Sequence, residues 1–252
     1  MPTALVTGAT SGIGAGFARR LASDGFDLIL VARDTDRLER TAADLHDRYG
    51  ASCETLSADL STDEGIAAAE KHAAGRVDLL INNAGFGQRG IYLNAPVADE
   101  VKMLRVHCEA VLRLTSAALP GMLERGRGGV INVASVAAFF SRGTYGASKA
   151  WAVSFSRAVM RDHGGRGVHV MALCPGFVRT EFHERAGMNV SGIPGFMWLD
   201  QDLVIDTALR DLRRGALVSV PGAQYKAIVA LGRMVPGGLL DRIASRAGRR
   251  FD

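Results

Sequence analysis

At 252 residues, with 48% hydrophobic and 22% charged side chains, this chain has the composition of an ordinary soluble globular protein, neither disordered nor fibrous. Its 30 basic residues exceed its 26 acidic ones by only four charges, and they are scattered, so despite a pI near 9.2 no basic stripe argues for a nucleic-acid partner. No run of 18 apolar residues offers a transmembrane helix, no leader pattern opens the chain, and Cys53, Cys108 and Cys174 lack both metal-ligand spacing and an even count, which reads as free thiols in a reducing, cytoplasmic setting.

Short apolar runs at 3–7, 27–32, 52–57, 77–82, 129–135, 168–174 and 216–220 read as strands. Between them lie longer amphipathic stretches near 12–24, 34–49, 62–74, 97–124, 144–163 and 200–214, which read as helices. Strands apolar on both faces, alternating with helices, predict a seven-stranded doubly wound parallel sheet of Rossmann type, covered on both sides. No linker-like stretch interrupts the alternation, so residues 1–252 read as one domain. Two segments depart from it. Residues 181–199 are loop-like and apolar (Met188, Ile193, Pro194, Phe196, Met197, Trp198), as a substrate lid or a segment packed on its own core would be. Residues 223–252 read as one or two short helices, with Leu239, Leu240, Ile243, Ala244, Ala247 and Phe251 beside Arg242, Arg246, Arg249 and Arg250. Packing within the chain or between subunits ranks above membrane contact for this tail.

The first strand runs into Thr7-Gly8-Ala9-Thr10-Ser11-Gly12-Ile13-Gly14 and then a helix. Glycines permit a tight turn and close approach of a pyrophosphate, and the helix N-terminus presents unpaired N–H groups to that anion. The strand–turn–helix context separates this match from a chance glycine triplet. At the end of the second strand Ala32 stands where an acid would bind the ribose 2′-hydroxyl of NAD, and Arg33 follows it. That pattern suits the 2′-phosphate of NADP(H).

Only four of the basic residues are lysines: Lys71, Lys102, Lys149 and Lys226. Lys149 stands four residues after Tyr145, so on a helix the two side chains share a face. A nearby ammonium favours the phenolate and draws the phenol toward the working range of an acid–base catalyst. Ser135 lies ten residues upstream of Tyr145, at the end of an apolar run.

The ordered set resembles the short-chain dehydrogenase/reductase family, in its simple, non-extended branch. The matching residues are the glycine turn, Asp59-Leu60, Asn82-Asn83-Ala84-Gly85, Ser135, Tyr145 with Lys149, and Cys174-Pro175-Gly176 with Thr180, spread from residue 3 to about 222. Arg33-Asp34-xx-Arg37-Leu38 and Leu112-Arg113-Leu114-Thr115 look most like the subgroup that reduces carbonyls with NADPH. The resemblance implies a cofactor site of Gly8, Ser11, Gly12, Ile13, Gly14, Arg33, Asp59, Leu60, Asn83, Ala84, Gly85, Tyr145, Lys149, Pro175, Gly176, Val178 and Thr180. It implies Ser135, Tyr145 and Lys149 as the catalytic set, no metal, a small carbonyl or alcohol substrate, and a homodimer or homotetramer. Leu112, Trp151 and Phe155 are the candidate interface residues.

Two departures stand out. His107 occupies the place of the family's fourth catalytic residue, an asparagine whose helix is distorted to hold a water linked to the lysine. Its ring nitrogens could keep that role, or the histidine could be structural. The segment between Ser135 and Tyr145 is also shorter than usual, which brings Ala137, Phe139 and Phe140 toward the substrate. The leading expectation is an NADP(H)-dependent oxidoreductase acting on an apolar ketone or aldehyde. The alternatives are an NAD-linked alcohol dehydrogenase on the same residues and an NADP(H)-sensing regulator without chemistry, for which a Ser/Tyr/Lys set has no use.

Overall fold

The computed structural model describes residues 1–87, 95–140, 143–164, 166–182 and 190–234. Met188 of the 181–199 segment and the tail residues from Leu239 to Phe251 lie outside them. The chain alternates β1 (Thr3–Thr7), α1 (Gly12–Ser23), β2 (Asp27–Ala32), α2 (Thr35–Tyr49), β3 (Cys53–Ser57), α3 (Asp63–Ala73) and β4 (Leu79–Asn82). There follow α4 (Val97–Leu104), α5 (Ala110–Glu124), β5 (Gly128–Val133), α6 (Gly143–His163) and β6 (Val168–Leu173). The described chain closes with β7 (Phe177–Val178), β8 (Trp198–Leu199), α7 (Gln201–Arg213), β9 (Val218–Ser219) and α8 (Ala223–Met234). Among the described residues no helix is long and apolar enough to cross a membrane.

Seven strands form one parallel sheet in the order β3-β2-β1-β4-β5-β6-β9. Consecutive residues of a strand point to opposite faces, and the sequence supplies apolar side chains for both. Ala4 and Val6 of β1 join Phe17, Leu21, Leu38 and Ile205 on one side, whereas Leu5 joins Ile66, Leu80 and Leu114 on the other. The expectation of strands apolar on both faces fails at β3. Its residues Cys53, Glu54, Thr55, Leu56 and Ser57 are all half-buried or exposed, because β3 is the edge of the sheet and pairs only with β2. The expected last strand is likewise trimmed to Val218–Ser219 at the other edge.

The register brings the carboxyl ends of the central strands level. Val6 pairs with Leu30 and Ile81, Ile81 with Ile131, and Ile131 with Met171. Chain order reverses at β1, which lies between β2 and β4, and such a switch opens a crevice outside the strand ends. A buried polar row stiffens the sheet just below that edge. Asn82 Nδ2 donates to Asn132 Oδ1 at 2.9 Å and to Thr115 Oγ1 at 3.2 Å, and Asn132 Nδ2 donates to Ser156 Oγ at 2.9 Å. These bonds tie β4, β5, α5 and α6 together in a region where an unpaired amide would be costly.

The stretch 97–124 is not the single α-helix its periodicity predicts. One turn, Arg105–Glu109, widens to π-helical geometry between α4 and α5, so the extra residue shifts the helix face and turns Val106 and His107 into the interior. Outside, Arg105 pairs with Glu109 and Asp63, and Arg113 with Glu109 and Glu70.

Candidate active site

Helix α1 lacks at its N-terminus what α2, α3 and α7 have at theirs. Helices α2, α3 and α7 are capped by side chains, Asp34 to Arg37 N, Thr62 to Gly65 N, and Asp200 to Asp202 N and Leu203 N. Each also carries an acid in its first turn. In α1 the Ser11 side chain caps no helix N–H, and the first turn holds no acid. The positive end of that helix is therefore offset by neither a side-chain cap nor a first-turn carboxylate. The turn is shaped by contact with the next motif. A Cβ on Gly14 would lie 2.2 Å from the Gly8 carbonyl oxygen and 2.4 Å from Asn83 Nδ2. Asn83 Nδ2 donates to the carbonyls of Thr7 (2.9 Å) and Gly8 (3.3 Å). The Thr7 hydroxyl accepts from the backbone N–H of both Asn83 and Ala84, each at 2.9 Å. So Asn83 braces the cleft floor, and Thr7, not singled out from sequence, is the post it leans on.

Arg33 is exposed beyond β2, with its carbonyl held by Ser57 Oγ at 3.1 Å. Asp59 accepts the Ser61 N–H at 2.9 Å. Burial opposes its charge, but the Ser61 hydrogen bonds, with Arg33 and Lys102 nearby, hold the carboxyl below its usual range. Leu60 is buried beside it. Thr180 closes over the turn from the far side, where a Cβ on Gly12 would lie 3.2 Å from Thr180 Cβ. Arg37 reaches across as well, to the Thr10 carbonyl at 3.1 Å and to Glu181 at 3.1 Å. Pro175 accepts the Val136 N–H at 3.0 Å, which sets the ends of β5 and β6 side by side.

The i,i+4 pair lies on α6 as its spacing predicts. The Lys149 Nζ is 5.8 Å from the centre of the Tyr145 ring and donates to the Val133 carbonyl at 2.9 Å. Burial lowers the Lys149 pKa from 10.5 to about 8. Ser135 caps the 3-10 turn Val136–Phe139, its hydroxyl oxygen accepting the Ala137 N–H at 3.1 Å. The oxygen is thereby anchored, and its own proton can be given to another group. Gly85 leaves the space these residues need, since a Cβ there would lie 2.7 Å from His107 Nε2 and 3.6 Å from Lys149 Nζ.

His107 is 2% exposed, and its ring meets Tyr145 edge-on at 5.7 Å. Burial, with the positive Lys149 beside it, holds its pKa well below the usual histidine range. Phe182 packs 6.2 Å from the Tyr145 ring and Phe86 lies 6.0 Å from His107, so the pocket wall is aromatic. Neither phenylalanine was picked out from the sequence, which carries no periodic signal for isolated loop aromatics. Tyr225 of α8 was also missed. Its hydroxyl accepts the Phe177 N–H at 2.9 Å and donates to the Met197 carbonyl at 2.6 Å, and its ring fills the space that any side chain on Gly176 would occupy. It anchors β7 and the described end of the 181–199 segment, where Phe177 and Trp198 pack 5.8 Å apart. Cys174 is buried, Cys53 and Cys108 are half-buried, and all three are unbridged.

Comparison with known proteins bears on the family and the fold. The family model described as short chain dehydrogenase matches residues 2–190. A very-long-chain 3-oxoacyl-CoA reductase of Anas platyrhynchos is 31% identical over 189 residues, 71% of this chain, and the match spans 60% of that relative's length. A short-chain dehydrogenase from Sphingobium yanoikuyae, solved in complex with NADPH, superposes with a TM-score of 0.84 at 35% identity, covering 92% of this chain and 94% of that one. A bulky-bulky ketone specific alcohol dehydrogenase from Comamonas testosteroni superposes with a TM-score of 0.80 at 29% identity, covering 93% and 92% of the two chains.

The buried ammonium has a consequence for stability. A lysine whose folded pKa lies below its unfolded value binds fewer protons folded than unfolded, so stability rises with pH between the two. Unfolding of the cofactor-free protein should become harder between pH 8 and 10.5, by a margin that Lys149→Met abolishes. Parallel denaturant titrations of the two proteins across that window measure the difference. Identical pH dependence in both would mean that the ammonium is not buried.

Proposed function

This chain belongs to the short-chain dehydrogenase family of oxidoreductases, and we propose that it transfers hydride between NADP(H) and a bulky, apolar ketone or the corresponding secondary alcohol. The observation that carries the reading is one juxtaposition. A buried lysine and a tyrosine share one helix face, and the segment Asn83–Gly85 links them to the glycine turn, with Asn83 Nδ2 on the Gly8 carbonyl and Gly85 leaving room for Lys149 Nζ.

The residues suit a dinucleotide. Gly8, Ser11, Gly12, Ile13 and Gly14 would hold the pyrophosphate at the open helix end. Asp59 and Leu60 would border the adenine, and Asn83, Ala84 and Gly85 the neighbouring ribose. Pro175, Gly176, Val178 and Thr180 would flank the nicotinamide end. Arg33 would take the 2′-phosphate, with Ala32 offering no carboxylate to repel it. Bound there, the reduced nicotinamide supplies the hydride, chemistry that no side chain offers.

The chain's own part is to manage the proton and the growing charge. Ser135, its oxygen fixed by Ala137 N–H, donates a hydrogen bond to the substrate carbonyl oxygen. Tyr145 gives that oxygen a proton, and in the reverse direction its phenolate takes one from the alcohol. Lys149 favours the phenolate electrostatically, and its low-dielectric surroundings strengthen that influence. Phe86, Phe139, Phe140 and Phe182, with the apolar residues of the 181–199 lid, would form the substrate walls. A bulky ketone is the substrate class that such a wall accepts. The ketone specificity of the Comamonas testosteroni enzyme points the same way.

Self-association belongs to the same reading. Val97 (71% exposed), Val101, Leu104 and Leu112 line one side of α4 and α5, an apolar stripe that a second copy would cover. The stacked, half-buried pair Trp151 and Phe155 on α6 continues the set predicted from sequence. The unbridged thiols suit a reducing, cytoplasmic setting.

Tyr145→Phe should bind NADPH nearly as the parent does while losing at least about a hundredfold in turnover across a panel of bulky ketones, followed by NADPH absorbance. Full turnover in that variant would remove the acid role. Arg33→Ala should weaken NADPH by roughly ten- to a hundredfold, since a charge-assisted hydrogen bond contributes about 1.5–3 kcal/mol, and leave NADH unchanged. Equal losses for both coenzymes would reject the phosphate assignment in favour of NAD chemistry. Leu112→Glu should shift the sedimentation coefficient toward a monomer, and an unchanged value would place the subunit interface elsewhere.

A further inference from the structure

We infer that His107 is a positioning residue, which ties the turn carrying Tyr145 and Lys149 to the loop after β4 through a hydrogen-bond chain of fixed direction. The inference rests on the reading of Tyr145 and Lys149 as the proton-handling pair.

The chain runs through four groups. The Phe86 backbone N–H faces His107 Nε2 at 3.2 Å. His107 Nδ1 faces Ser148 Oγ at 2.9 Å, and Ser148 Oγ lies 2.8 Å from the Tyr145 carbonyl oxygen. Its two ends decide the directions. A backbone N–H can only donate, so Nε2 must present a lone pair. The single proton of the neutral imidazole is then on Nδ1, which donates to Ser148 Oγ. A carbonyl can only accept, so the Ser148 hydroxyl proton goes to Tyr145 O, and its lone pair receives Nδ1–H. Each donor meets an acceptor, and reversing any link would set two donors or two acceptors face to face in the interior. An imidazolium would turn an N–H against the Phe86 N–H, and the buried ammonium of Lys149 opposes a second charge there. The other titratable group that meets the ring, Tyr145, brings no negative charge as a neutral phenol to offset it.

Geometry limits what else could span this gap. The two ring nitrogens lie at different depths along the side chain. An asparagine amide ends at the level of Nδ1 and a glutamine amide at the level of Nε2, so neither bonds both Phe86 and Ser148. The π-helical turn brings the ring inward, and Gly85 lets it approach, because a Cβ there would lie 2.7 Å from Nε2. Both ends of the chain are backbone groups, which do not ionise in the working pH range. The imidazole therefore conducts no proton to Lys149 or Tyr145. Its effect is on where the Tyr145 hydroxyl stands, and misplacement by about 1 Å can lower a rate by up to a hundredfold.

The test uses the full chain labelled with [15N]histidine. Among its six histidines, the ring whose signals are lost in His107→Asn should show a protonated Nδ1 and a bare Nε2, unchanged across the neutral range, whereas His46 and His72, whose Nδ1 atoms also face carbonyls, keep their signals in that variant. A proton on Nε2, or titration near the ordinary histidine value, overturns the inference. Kinetics supply the second arm. His107→Leu and Ser148→Ala should each lower kcat on the order of tenfold with KM for NADPH nearly unchanged, and the double variant should lose little more than either single one. Additive losses, or unchanged kcat in both, count against it. Should His107→Leu fail to fold, Ser148→Ala still decides, because it removes one oxygen and its effect on kcat and on the Nδ1 resonance can be read together. Tyr145→Phe separates the two readings. If that variant keeps its turnover the acid assignment fails, whereas the ring's tautomer stands or falls independently.

Discussion

Lys149 brings its ammonium to a place where 6% of the residue is exposed, and the carbonyl of Val133 receives it at 2.9 Å. A charge so placed is costly unless it is paired or hydrogen-bonded, and its pKa falls to about 8 accordingly. The surroundings are arranged around this tension. Helix α6 presents Lys149 and Tyr145 on one face. Gly85 has no side chain to crowd the ammonium. The nearest imidazole is neutral and so adds no second positive charge. A lysine held this way still carries its proton at neutral pH and exerts its influence through little intervening water, which makes it useful to a phenol expected to give up a proton.

Precision at this edge of the sheet comes from polar groups in the interior. Thr7 and Asn83 lock the ends of β1 and β4 together, and the row Ser156–Asn132–Asn82–Thr115 binds β4 and β5 to the helices behind them. Apolar packing alone would tolerate small slips between these elements, whereas directional amide and hydroxyl bonds across them oppose such slips. The crevice is thus bordered by strand ends whose relative heights are set by hydrogen bonds. Tyr225 does the same on the far side, joining β7 to Met197 of the 181–199 segment through two backbone contacts.

The order of strands and helices was legible because each period is short-range. Apolar runs at 3–7 and 27–32 became β1 and β2 with unchanged bounds, and the glycine turn lay where the strand–helix junction required. The sequence misled where the environment decides. Residues 53–57 look like the other strands but lie at the sheet edge, so their side chains remain half-buried or exposed. Residues 97–124 keep a helical apolar pattern that does not register one inserted residue, yet that residue turns His107 inward. For His107 the sequence showed only a histidine in an unexpected place, with a conducting role and a structural role both open. Its partners, Phe86 N and Ser148 Oγ, are 21 and 41 residues away along the chain.

What the sequence determined by itself was the doubly wound topology, the glycine turn between β1 and α1, and the pairing of Tyr145 with Lys149, because all three depend on spacing within one element or one junction. Tertiary structure decided the burial of Lys149, the direction of each bond around His107, and the aromatic wall built from Phe86 and Phe182. Those properties arise where loops from distant strands converge. The energies that set them are desolvation and hydrogen-bond pairing, and both depend on what lies across a gap in space.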